Sequence, residues 1–359
     1  MLGIIMAGGK GSRLAPLTDK NPKPLVKILG KPVIDYVKDA LIKTDLEELI
    51  VTTGYKGEGL RKLVGKWNEE LSIPCSVNQE NTPMGTAGSV KLLEDRLNDT
   101  FVVASGDAIL SSNLELVVEA HRNSNALVTM ALWEVDDPTQ FGIVGLSAEK
   151  NGNIDANLSQ GFITKFHEKP TPDEAFSRVI NAGLYVIEPE VMKHIPIATK
   201  YDFSKQLFPD LLSLGYPMYG IKLDGVWFDV GTPKEMIKAQ NHLVRHSNIL
   251  PFEMPKGQFT DDFGYQIGNS VTNSPISRSV LSDNSRLGNE CKLIDSIVMS
   301  ETIIGNNCTI IESIIGENVI IGNDCEISGS VIGDDVRLKD GTILRDSKIS
   351  SHQQNAQDK

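Results

Sequence analysis

The sequence predicts an α/β domain built on a mostly parallel sheet, followed by a solenoid of stacked β-coils. Strand-like apolar runs alternate with helix-like segments over residues 1 to about 232. Such alternation is typical of a parallel sheet whose two faces are covered by helices. From Ser279 onward, serine and aliphatic residues recur with a period of seventeen, and a strict period of this kind indicates a repeat architecture.

Hydrophobic periodicity predicts the elements of the first part. β-branched runs that end near glycine indicate strands, and apolar residues on one helical face indicate helices. The predicted strands cover residues 2–6, 49–53, 73–77, 101–104 and 127–133, and the predicted helices cover residues 33–41, 114–121, 207–212 and 236–244. Ligands bind at the carboxyl ends of parallel strands. We therefore expect the glycine-rich loop after the first strand and Asp107 after the fourth to share one site.

The C-terminal part repeats one structural unit. Serine occupies the same place in five successive repeats, and aliphatic residues stand two, eight and fourteen positions after it. The serines are Ser279, Ser296, Ser313, Ser330 and Ser347. Within each repeat an Ile/Val-Gly step recurs at about six residues, which resembles the hexapeptide repeat of left-handed parallel β-helices. Seventeen is one short of three sixes, so we expect one tightened corner in each coil.

The chain has four cysteines, and three of them occupy one position of the repeat. Cys291, Cys308 and Cys325 lie seventeen residues apart. This spacing predicts a small, weakly polar residue that fills the same interior slot in each coil, rather than a metal site or a disulfide ladder. Without paired spacing, the cysteines give no disulfide framework, which is consistent with a reducing cytoplasm.

Length and composition limit the possible classes of protein. The 359 residues are 40% apolar and 23% charged, a soluble balance that suits two domains. The net charge of −12 and the lack of a basic tract argue against nucleic acid and anionic membranes as partners. No apolar stretch approaches a membrane span, and the N-terminal run lacks a basic leader, so we expect a cytoplasmic protein. The predicted division is an α/β domain over residues 1–248, a linker over 249–265, a β-helix over 266–350 and a polar tail over 351–359.

A glycine-rich loop directly follows the first predicted strand. Because glycine lacks a Cβ, backbone amides in such a loop can approach phosphate closely, and Arg13 and Lys23 add the charge that a polyphosphate needs. A dinucleotide fingerprint is excluded because Leu14 stands where a third glycine is required. A P-loop is excluded because the order is Gly9-Lys10-Gly11-Ser12. The residues predicted to bind nucleotide here are Ala7, Gly8, Gly9 and Gly11.

The whole N-terminal motif resembles the signature of the sugar-nucleotidyltransferases, which join a nucleoside triphosphate to a sugar 1-phosphate. Their pattern is Gly-Gly-x-Gly-x-Arg-Leu, then Pro-Leu-Thr, then Pro-Lys-Pro, and residues 8–24 match it over seventeen positions. The resemblance implies a Rossmann-like catalytic domain, a nucleoside triphosphate and a hexose 1-phosphate as substrates, and Mg²⁺ as cofactor. It also implies that Arg13 and Lys23 are catalytic residues that stabilise the triphosphate.

Further motifs carry the resemblance along the chain. Asp107 ends the strand-like F-V-V-A-S-G-D and Asp229 lies in V-W-F-D-V-G-T-P; in the resembled family these positions hold the metal. The segments F-G-I-V, H-E-K-P and I-N-A-G-L-Y match the family's sugar site. The residues implied to contact the sugar phosphate are Gly142, Glu168, Lys169 and Asn181.

The segment P-M-G-T-A-G at residues 83–88 is predicted to select the base through Gly85 and Thr86. Its sequence resembles that of the mannose-1-phosphate guanylyltransferases more than that of the thymidylyltransferases, which usually have Gly-Leu-Ala-Gln there. The resemblance therefore favours GTP and mannose 1-phosphate. Uridylyl-, thymidylyl- or adenylyltransferases acting on glucose 1-phosphate remain alternatives.

Two other function classes can be weighed from the sequence. A regulatory subunit that binds nucleotide sugar without catalysis remains open, but the presence of all four charged signature residues favours an enzyme. Acetyl transfer by the β-helix would need a general base, normally histidine, and no histidine falls in the coils. We therefore expect the β-helix to serve assembly of a homo-oligomer.

Overall fold

The structure is a computed structural model that describes residues 1–54 and 56–351. The predicted polar tail lies outside the described residues, except for Ser351. The chain divides into two units. The first holds Met1–Gly9, Tyr36–Gly106 and Leu110–Trp227, and the second holds Lys10–Asp35, Asp107–Ile109 and the chain from Phe228 onward. The domain boundaries that the sequence predicts at residues 248 and 265 stay predictions.

The elements of the first two-thirds of the chain follow the predicted alternation. The strands are β1 (Leu2–Met6), β2 (Lys27–Ile28), β3 (Lys31–Pro32), β4 (Glu48–Thr53), β5 (Cys75–Gln79), β6 (Phe101–Ser105), β7 (Ala108–Ser111), β8 (Val128–Glu134), β9 (Gly142–Ser147), β10 (Gln160–Glu168), β11 (Val179–Ile187), β12 (Met218–Lys222) and β13 (Val226–Asp229). The helices are α1 (Val33–Leu41), α2 (Gly57–Glu70), α3 (Gly85–Lys91), α4 (Glu115–Ser124), α5 (Phe208–Ser213) and α6 (Pro233–Arg245). Within the described chain, no helix combines the length and the apolar character needed to cross a bilayer.

Nine strands form the central sheet in the order β5-β4-β1-β6-β11-β8-β12-β10-β9. The first four strands are parallel, as the alternation predicts. From β11 onward most pairings are antiparallel, and only β8 and β12 run parallel. β9 and β10 follow one another without an α-helix between them, and strands joined without a crossover helix pair antiparallel.

Both faces of the sheet are buried. Ile4 and Ile5 point to opposite faces because side chains alternate along a strand, and both are fully buried. Ile4 lies opposite Ile50 and Val103 and belongs with them to a cluster that includes Val90 of α3. The predicted α/β fold class is therefore confirmed, and its parallel half carries the glycine-rich loop at the carboxyl end of β1.

Short strands make up the C-terminal part. They are β14 (Gly257–Phe259), β15 (Tyr265–Ile267), β16 (Val271–Thr272), β17 (Ile276–Ser277), β18 (Val280–Leu281), β19 (Arg286–Leu287), β20 (Lys292–Ile294), β21 (Ile297–Val298), β22 (Ile303–Ile304), β23 (Thr309–Ile311), β24 (Ile314–Ile315), β25 (Ile320–Ile321), β26 (Glu326–Ser328), β27 (Val331–Ile332), β28 (Arg337–Leu338), β29 (Ile343–Arg345) and β30 (Lys348–Ile349). They form three sheets in which, from β15 onward, each strand pairs in parallel with the strand three places later. This arrangement is consistent with the predicted left-handed β-helix.

The register of the β-helix confirms the seventeen-residue period. Leu281 lies opposite Val298, which lies opposite Ile315. One difference concerns the stretch predicted to be irregular, since β14 falls within residues 249–265 and pairs antiparallel with β15. This strand extends the first sheet of the β-helix by one member before the repeat begins.

The corners of the coils show where each coil is one residue shorter than three sixes. A left-handed φ recurs at Arg278, Asn284, Glu290 and Asp295, in steps of six, six and five residues. Such a φ favours glycine, asparagine and aspartate, and these types occupy two of these four corners and most of the later ones. The tightened corner that the period predicts is therefore the one reached after Glu290.

The cysteine column fills the interior of the coils. Cys291, Cys308 and Cys325 are buried and free of disulfides. The Sγ atoms of Cys291 and Cys308 lie 3.1 and 3.2 Å from the carbonyl oxygens of Gly305 and Gly322 in the next coil. Burial raises the pKa of Cys308 to about 12, so its thiol stays protonated and acts as a weak donor between coils.

The stacked aliphatic residues predict that truncating a buried side chain destabilises the β-helix more than truncating an exposed one. We expect Ile310→Ala to lower the free energy of unfolding by about 2–5 kcal/mol, because Ile310 is fully buried in the β-helix core. Ile303 belongs to the same coil but is 46% exposed, and Ile303→Ala should cost less than about 0.5 kcal/mol. Chemical denaturation of both variants measures the difference, and equal losses would contradict the assignment of inner and outer columns.

Candidate active site

Lys23 lies between two carboxylates. Its Nζ donates hydrogen bonds of 2.8 Å to Asp107 Oδ2 and to Asp229 Oδ1. Burial by itself lowers the pKa of Lys23, but the charges of both aspartates and the hydrogen bonds to them outweigh it, so the pKa is raised above 10.5. Lys23 therefore stays protonated, and the three predicted residues form one charged centre.

Three separate segments bring these groups together. Lys23 begins a short 3-10 turn, Lys23–Leu25, that follows Pro22. Asp107 lies between β6 and β7, and Asp229 is the last residue of β13. Because β7 pairs with β13 in a two-stranded sheet, the two aspartates come from neighbouring strands.

Arg13 lies near the carboxylates of Asp229 and Glu235, beside Gly231. A Cβ built on Gly231 would lie 2.7 Å from Arg13 Nη2, 3.0 Å from Asp229 Oδ2 and 3.1 Å from Glu235 Oε2. These three polar groups therefore surround a space that only glycine leaves open. Among the residues that the structure describes, Glu235 Oε2 is a buried atom with no hydrogen-bond partner.

The sequence reasoning missed Glu235, although a signal for it was present. Thr232 caps α6, and its hydroxyl accepts a hydrogen bond of 3.3 Å from the Glu235 amide. Thr232-Pro-Lys-Glu235 is the pattern of a capping box, in which the glutamate returns toward the cap. In this helix the Glu235 carboxylate faces Gly231 and Arg13 instead.

Gly11 is required by a close approach within the glycine-rich motif. Its φ is +65°, and an added Cβ would lie 2.8 Å from Lys23 Cβ and 2.9 Å from Thr18 Cγ2. Thr18 Oγ1 also donates a hydrogen bond of 2.9 Å to the Gly11 carbonyl. The glycine therefore lets the loop pack directly against the backbone of Lys23.

The other predicted loop residues lie in the first unit, after β1. Ala7 is buried, and its amide donates to the Thr52 carbonyl at 2.8 Å. A Cβ on Gly9 would meet no atom within 4 Å, so open space borders this position. A Cβ on Gly8 would lie 3.5 Å from Glu80 Oε1.

Glu80 is a buried carboxylate that the sequence reasoning did not single out. Its side chain is 8% exposed, and its Oε2 accepts a hydrogen bond of 3.2 Å from the Met84 amide. Its Oε1 lies beside Gly8 and Gly54, where a Cβ on Gly54 would come within 2.6 Å. Burial raises the pKa of Glu80. The available signal was an acidic residue directly after β5 and before the P-M-G-T-A-G segment.

Gly85 and Thr86 begin α3. Gly85 has a φ of +76°, and an added Cβ would lie 2.6 Å from the Tyr201 carbonyl oxygen. The amide and hydroxyl of Thr86 both donate to Asp202 Oδ1, at 3.2 and 3.3 Å. The Thr86 hydroxyl also accepts from the Phe203 amide at 2.9 Å. Thr86 is thus held by the segment that begins the π-helix Phe203–Leu207.

Asn181 is held by three hydrogen bonds at a bulge in β11. Its Nδ2 donates to Tyr185 Oη at 2.9 Å and to Ser204 Oγ at 3.1 Å, and its Oδ1 accepts from the Gly183 amide at 2.8 Å. The bulge lies between Asn181 and Tyr185, and Gly183 takes a φ of +77° there. A bulge re-aims side chains, and this one sets the direction of Asn181.

Glu168, the last residue of β10, lies opposite Gly142, the first residue of β9. A Cβ on Gly142 would lie 2.7 Å from Glu168 Oε2, so glycine leaves room for the carboxylate. Burial raises the pKa of Glu168, while the charges of Lys169 and Lys205 oppose the shift. Lys169 turns the chain out of the strand with a φ of 53°.

The predicted site residues therefore fall into two groups. The second unit contains Gly11, Arg13, Lys23, Asp107 and Asp229, and the first unit contains Ala7, Gly8, Gly9, Gly85, Thr86, Gly142, Glu168, Lys169 and Asn181. In the second unit Lys23, Asp107 and Asp229 are in direct contact. In the first unit Gly142 contacts Glu168, and the charge of Asp202, which holds Thr86, acts on Glu168.

Comparison with known families identifies both parts of the chain. Residues 2–246 match the nucleotidyl transferase family, and residues 266–358 match the family described as the GMPPB C-terminal domain. These two matches cover most of the chain.

Curated relatives share about three residues in ten. A UTP–glucose-1-phosphate uridylyltransferase of Synechocystis sp. is 29% identical over 72% of this chain and 69% of its own length. The mannose-1-phosphate guanylyltransferase catalytic subunit beta of Xenopus tropicalis is 32% identical over 66% of this chain and 63% of its own. The mannose-1-phosphate guanyltransferase of Saccharomyces cerevisiae is 31% identical over 71% and 67%. The match thus spans slightly under two thirds of the Xenopus protein. The resemblance to sugar-nucleotidyltransferases is confirmed, and the chain belongs to the nucleotidyl transferase family.

Proposed function

We propose that this chain joins a nucleoside triphosphate to a hexose 1-phosphate, and that GTP and mannose 1-phosphate are its preferred substrates. In this reaction a phosphate oxygen of the sugar attacks the α-phosphorus, the bond to the β-phosphate breaks, and pyrophosphate leaves. The observation that carries the proposal is the centre in which Lys23 is held between Asp107 and Asp229.

The reaction needs charge neutralisation and alignment more than proton transfer. The attacking phosphate is already ionised, so no general base is required. Two polyanions must be held in line, and oriented cations lower the energy of the charge that spreads over the transferring group. Lys23 and Arg13 supply such cations, and the raised pKa of Lys23 keeps its charge present at neutral pH.

The donor set at Lys23 fits a magnesium ion. Carboxylate oxygens are the ligands that Mg²⁺ prefers, and it is commonly held by one or two carboxylates together with substrate phosphates. Asp107 and Asp229 already direct one oxygen each at a single cation, the Lys23 ammonium. Over the described residues there is no group of three or more His, Cys, Asp or Glu suited to a metal, so phosphates and water would complete the shell. When bound, Mg²⁺ offsets phosphate charge and orients the triphosphate.

The sugar end is assigned to the first unit. The Glu168 carboxylate is an acceptor for sugar hydroxyls, and its partial burial strengthens each hydrogen bond it makes. Asn181 is oriented by Tyr185, Ser204 and Gly183. Both of its N–H donors are used in these bonds, so Oδ1 is the atom that accepts from a sugar hydroxyl. Lys169 contributes positive charge for the sugar phosphate.

Glu80 supports the choice of guanine. Guanine presents an N1–H and an N2 amine side by side, and an ionised carboxylate accepts hydrogen bonds only. Uracil presents two carbonyl oxygens around a single N–H, which a carboxylate repels. Glu80 bonds to Met84, which precedes Gly85, and lies beside Gly8, so it contacts both segments predicted to bind nucleotide.

A second candidate is favoured by one relative. The Synechocystis protein that matches this chain is named for UTP and glucose 1-phosphate, so uridylyl transfer is the main competing specificity. A regulatory subunit without catalysis is less consistent with the paired carboxylates around Lys23. Self-association through the β-helix stays a prediction.

The proposed reaction predicts the outcome of a substrate panel. Pyrophosphate release by the full-length chain should be fastest with GTP and mannose 1-phosphate when GTP, UTP, dTTP and ATP are each tested against mannose and glucose 1-phosphates. Asp107→Asn should lower turnover by about 10²-fold or more, since the carboxylate that faces the ammonium and the metal loses its charge. Circular dichroism checks that this variant folds. Preference for UTP and glucose 1-phosphate would reassign the substrates, and substantial activity in Asp107→Asn would refute its role.

Glu80→Gln should reduce selectivity for GTP. The side-chain amide of this variant places an N–H donor against the N–H donors of guanine. A donor left without an acceptor costs about 1–3 kcal/mol. We expect kcat/KM for GTP to fall roughly tenfold or more, with a smaller change for UTP. Glu69→Gln, on the exposed surface of α2, is the matched control. If kcat/KM falls equally for GTP and UTP, Glu80 acts on the fold and not on the base.

Glu168 predicts an acid limb in the pH profile. Because its pKa is raised above 4.5, its ionised form is lost, and kcat/KM for the sugar phosphate falls, at a pH above the ordinary glutamate range. Glu168→Gln should remove this limb and lower kcat/KM by about 10- to 100-fold. A raised carboxyl pKa favours folding only below the unfolded pKa, and this contribution is lost as pH rises through the folded pKa. Glu168→Gln should therefore be no less stable at pH 7, and an unchanged acid limb would exclude the assignment.

A further inference from the structure

Two ion pairs join the phosphate loop, defined here as residues 10–27, to the β-helix. Lys27 Nζ lies 2.6 Å from Glu317 Oε1, and Lys20 contacts Asp335. The two lysines flank Lys23, three residues before it and four residues after it. The loop and the β-helix belong to the same compact unit, so these contacts are internal to that unit.

Two further contacts join the same loop to the β-helix. Lys348 Nζ donates a hydrogen bond of 3.1 Å to the carbonyl of Arg13. A Cβ on Gly333 would lie 3.0 Å from Pro16 Cβ, so the coil and the loop approach closely there. The β-helix therefore meets the phosphate loop at four places, and two of them involve Arg13 or its near neighbour Pro16.

Hydrogen bonds between successive coils hold the segments that carry Glu317 and Asp335. The Glu317 amide donates to Asp334 Oδ1 at 2.9 Å, and Asn318 Nδ2 donates to Asp335 Oδ1 at 2.6 Å. Both bonds link a residue to the one seventeen positions later. Glu317 and Asp335 are thus presented by adjacent coils whose spacing is set by the parallel strands.

We propose that the last coils of the β-helix position the phosphate loop for catalysis, with Glu317 and Asp335 as positioning residues that act through Lys27 and Lys20. Because ion pairs anchor the loop before and after Lys23, the Lys23 ammonium can move less. Misplacing a catalytic group by about 1 Å can cost up to 10²-fold in rate. This role rests on the proposed function, because it concerns the same charged centre.

The exposure of the ion pairs separates positioning from stability. Lys27 and Glu317 are each 36% exposed, and partly exposed ion pairs contribute little to folding. Loss of one pair should therefore leave the unfolding midpoint nearly unchanged. Its effect falls on the placement of the loop, which kinetics with the triphosphate can detect.

A charge swap in the full-length chain tests the proposal. Lys27→Glu and Glu317→Lys should each raise KM for the triphosphate or lower kcat by about two- to fivefold, the range that one such pair can supply, with little change in the unfolding midpoint. The double variant should recover most of this loss. Glu326→Lys, at an exposed position on β26, is the matched control and should behave as wild type.

Hydrogen exchange supplies a readout that does not depend on turnover. Amides of residues 10–27 should exchange faster in Glu317→Lys than in the wild type or in Glu326→Lys, and the swap should restore protection. Additive losses in the double variant, or unchanged exchange in Glu317→Lys, would overturn the positioning role. If the wild type turns over no substrate of the panel, the proposed function fails, while the exchange experiment still decides whether the β-helix holds the loop.

Discussion

The ammonium of Lys23, held by Asp107 and Asp229, is the interaction on which the candidate centre depends. A buried charge is costly unless it is paired, so this lysine requires both carboxylates to be in place. The partners lie 84 and 206 residues away in sequence. The turn after β6, the end of β13 and the turn at Pro22 must therefore meet for the charge to be tolerated. Under the proposed function the same charged groups also neutralise phosphate, so one constraint serves both folding and chemistry.

Glycine and carboxylate recur together in the first unit for one physical reason. Gly142 makes room for Glu168, and Gly8 and Gly54 make room for Glu80. In both cases a carboxylate is drawn into a confined space, and burial raises its pKa. Partial desolvation strengthens hydrogen bonds to a ligand and makes an unpaired donor or acceptor more costly. Such sites discriminate among hydroxyl and base patterns better than solvated ones, which suits a family whose relatives are named for different nucleotides and sugars.

The β-helix connects a simple repeat to this chemistry. Its serine and cysteine columns satisfy amides and carbonyls from coil to coil, so its geometry is rigid and periodic. Two of its acidic residues, Glu317 and Asp335, contact lysines of the phosphate loop. The β-helix is therefore a rigid element whose acidic side chains can hold the phosphate loop. Without these contacts the loop would be held by its own short turns.

The amino-acid sequence by itself determined the two architectures, the seventeen-residue register and the cysteine column, because periodic patterns report local geometry and stacking directly. It also indicated Lys23, Asp107 and Asp229, through motifs that lie near strand ends. The antiparallel half of the sheet, the buried carboxylate of Glu80, the buried Oε2 atom of Glu235, and the ion pairs of the phosphate loop with the β-helix were decided only by the tertiary structure. No period or motif links residues about 300 positions apart. Whether such residues meet depends on how the packed elements bring them together.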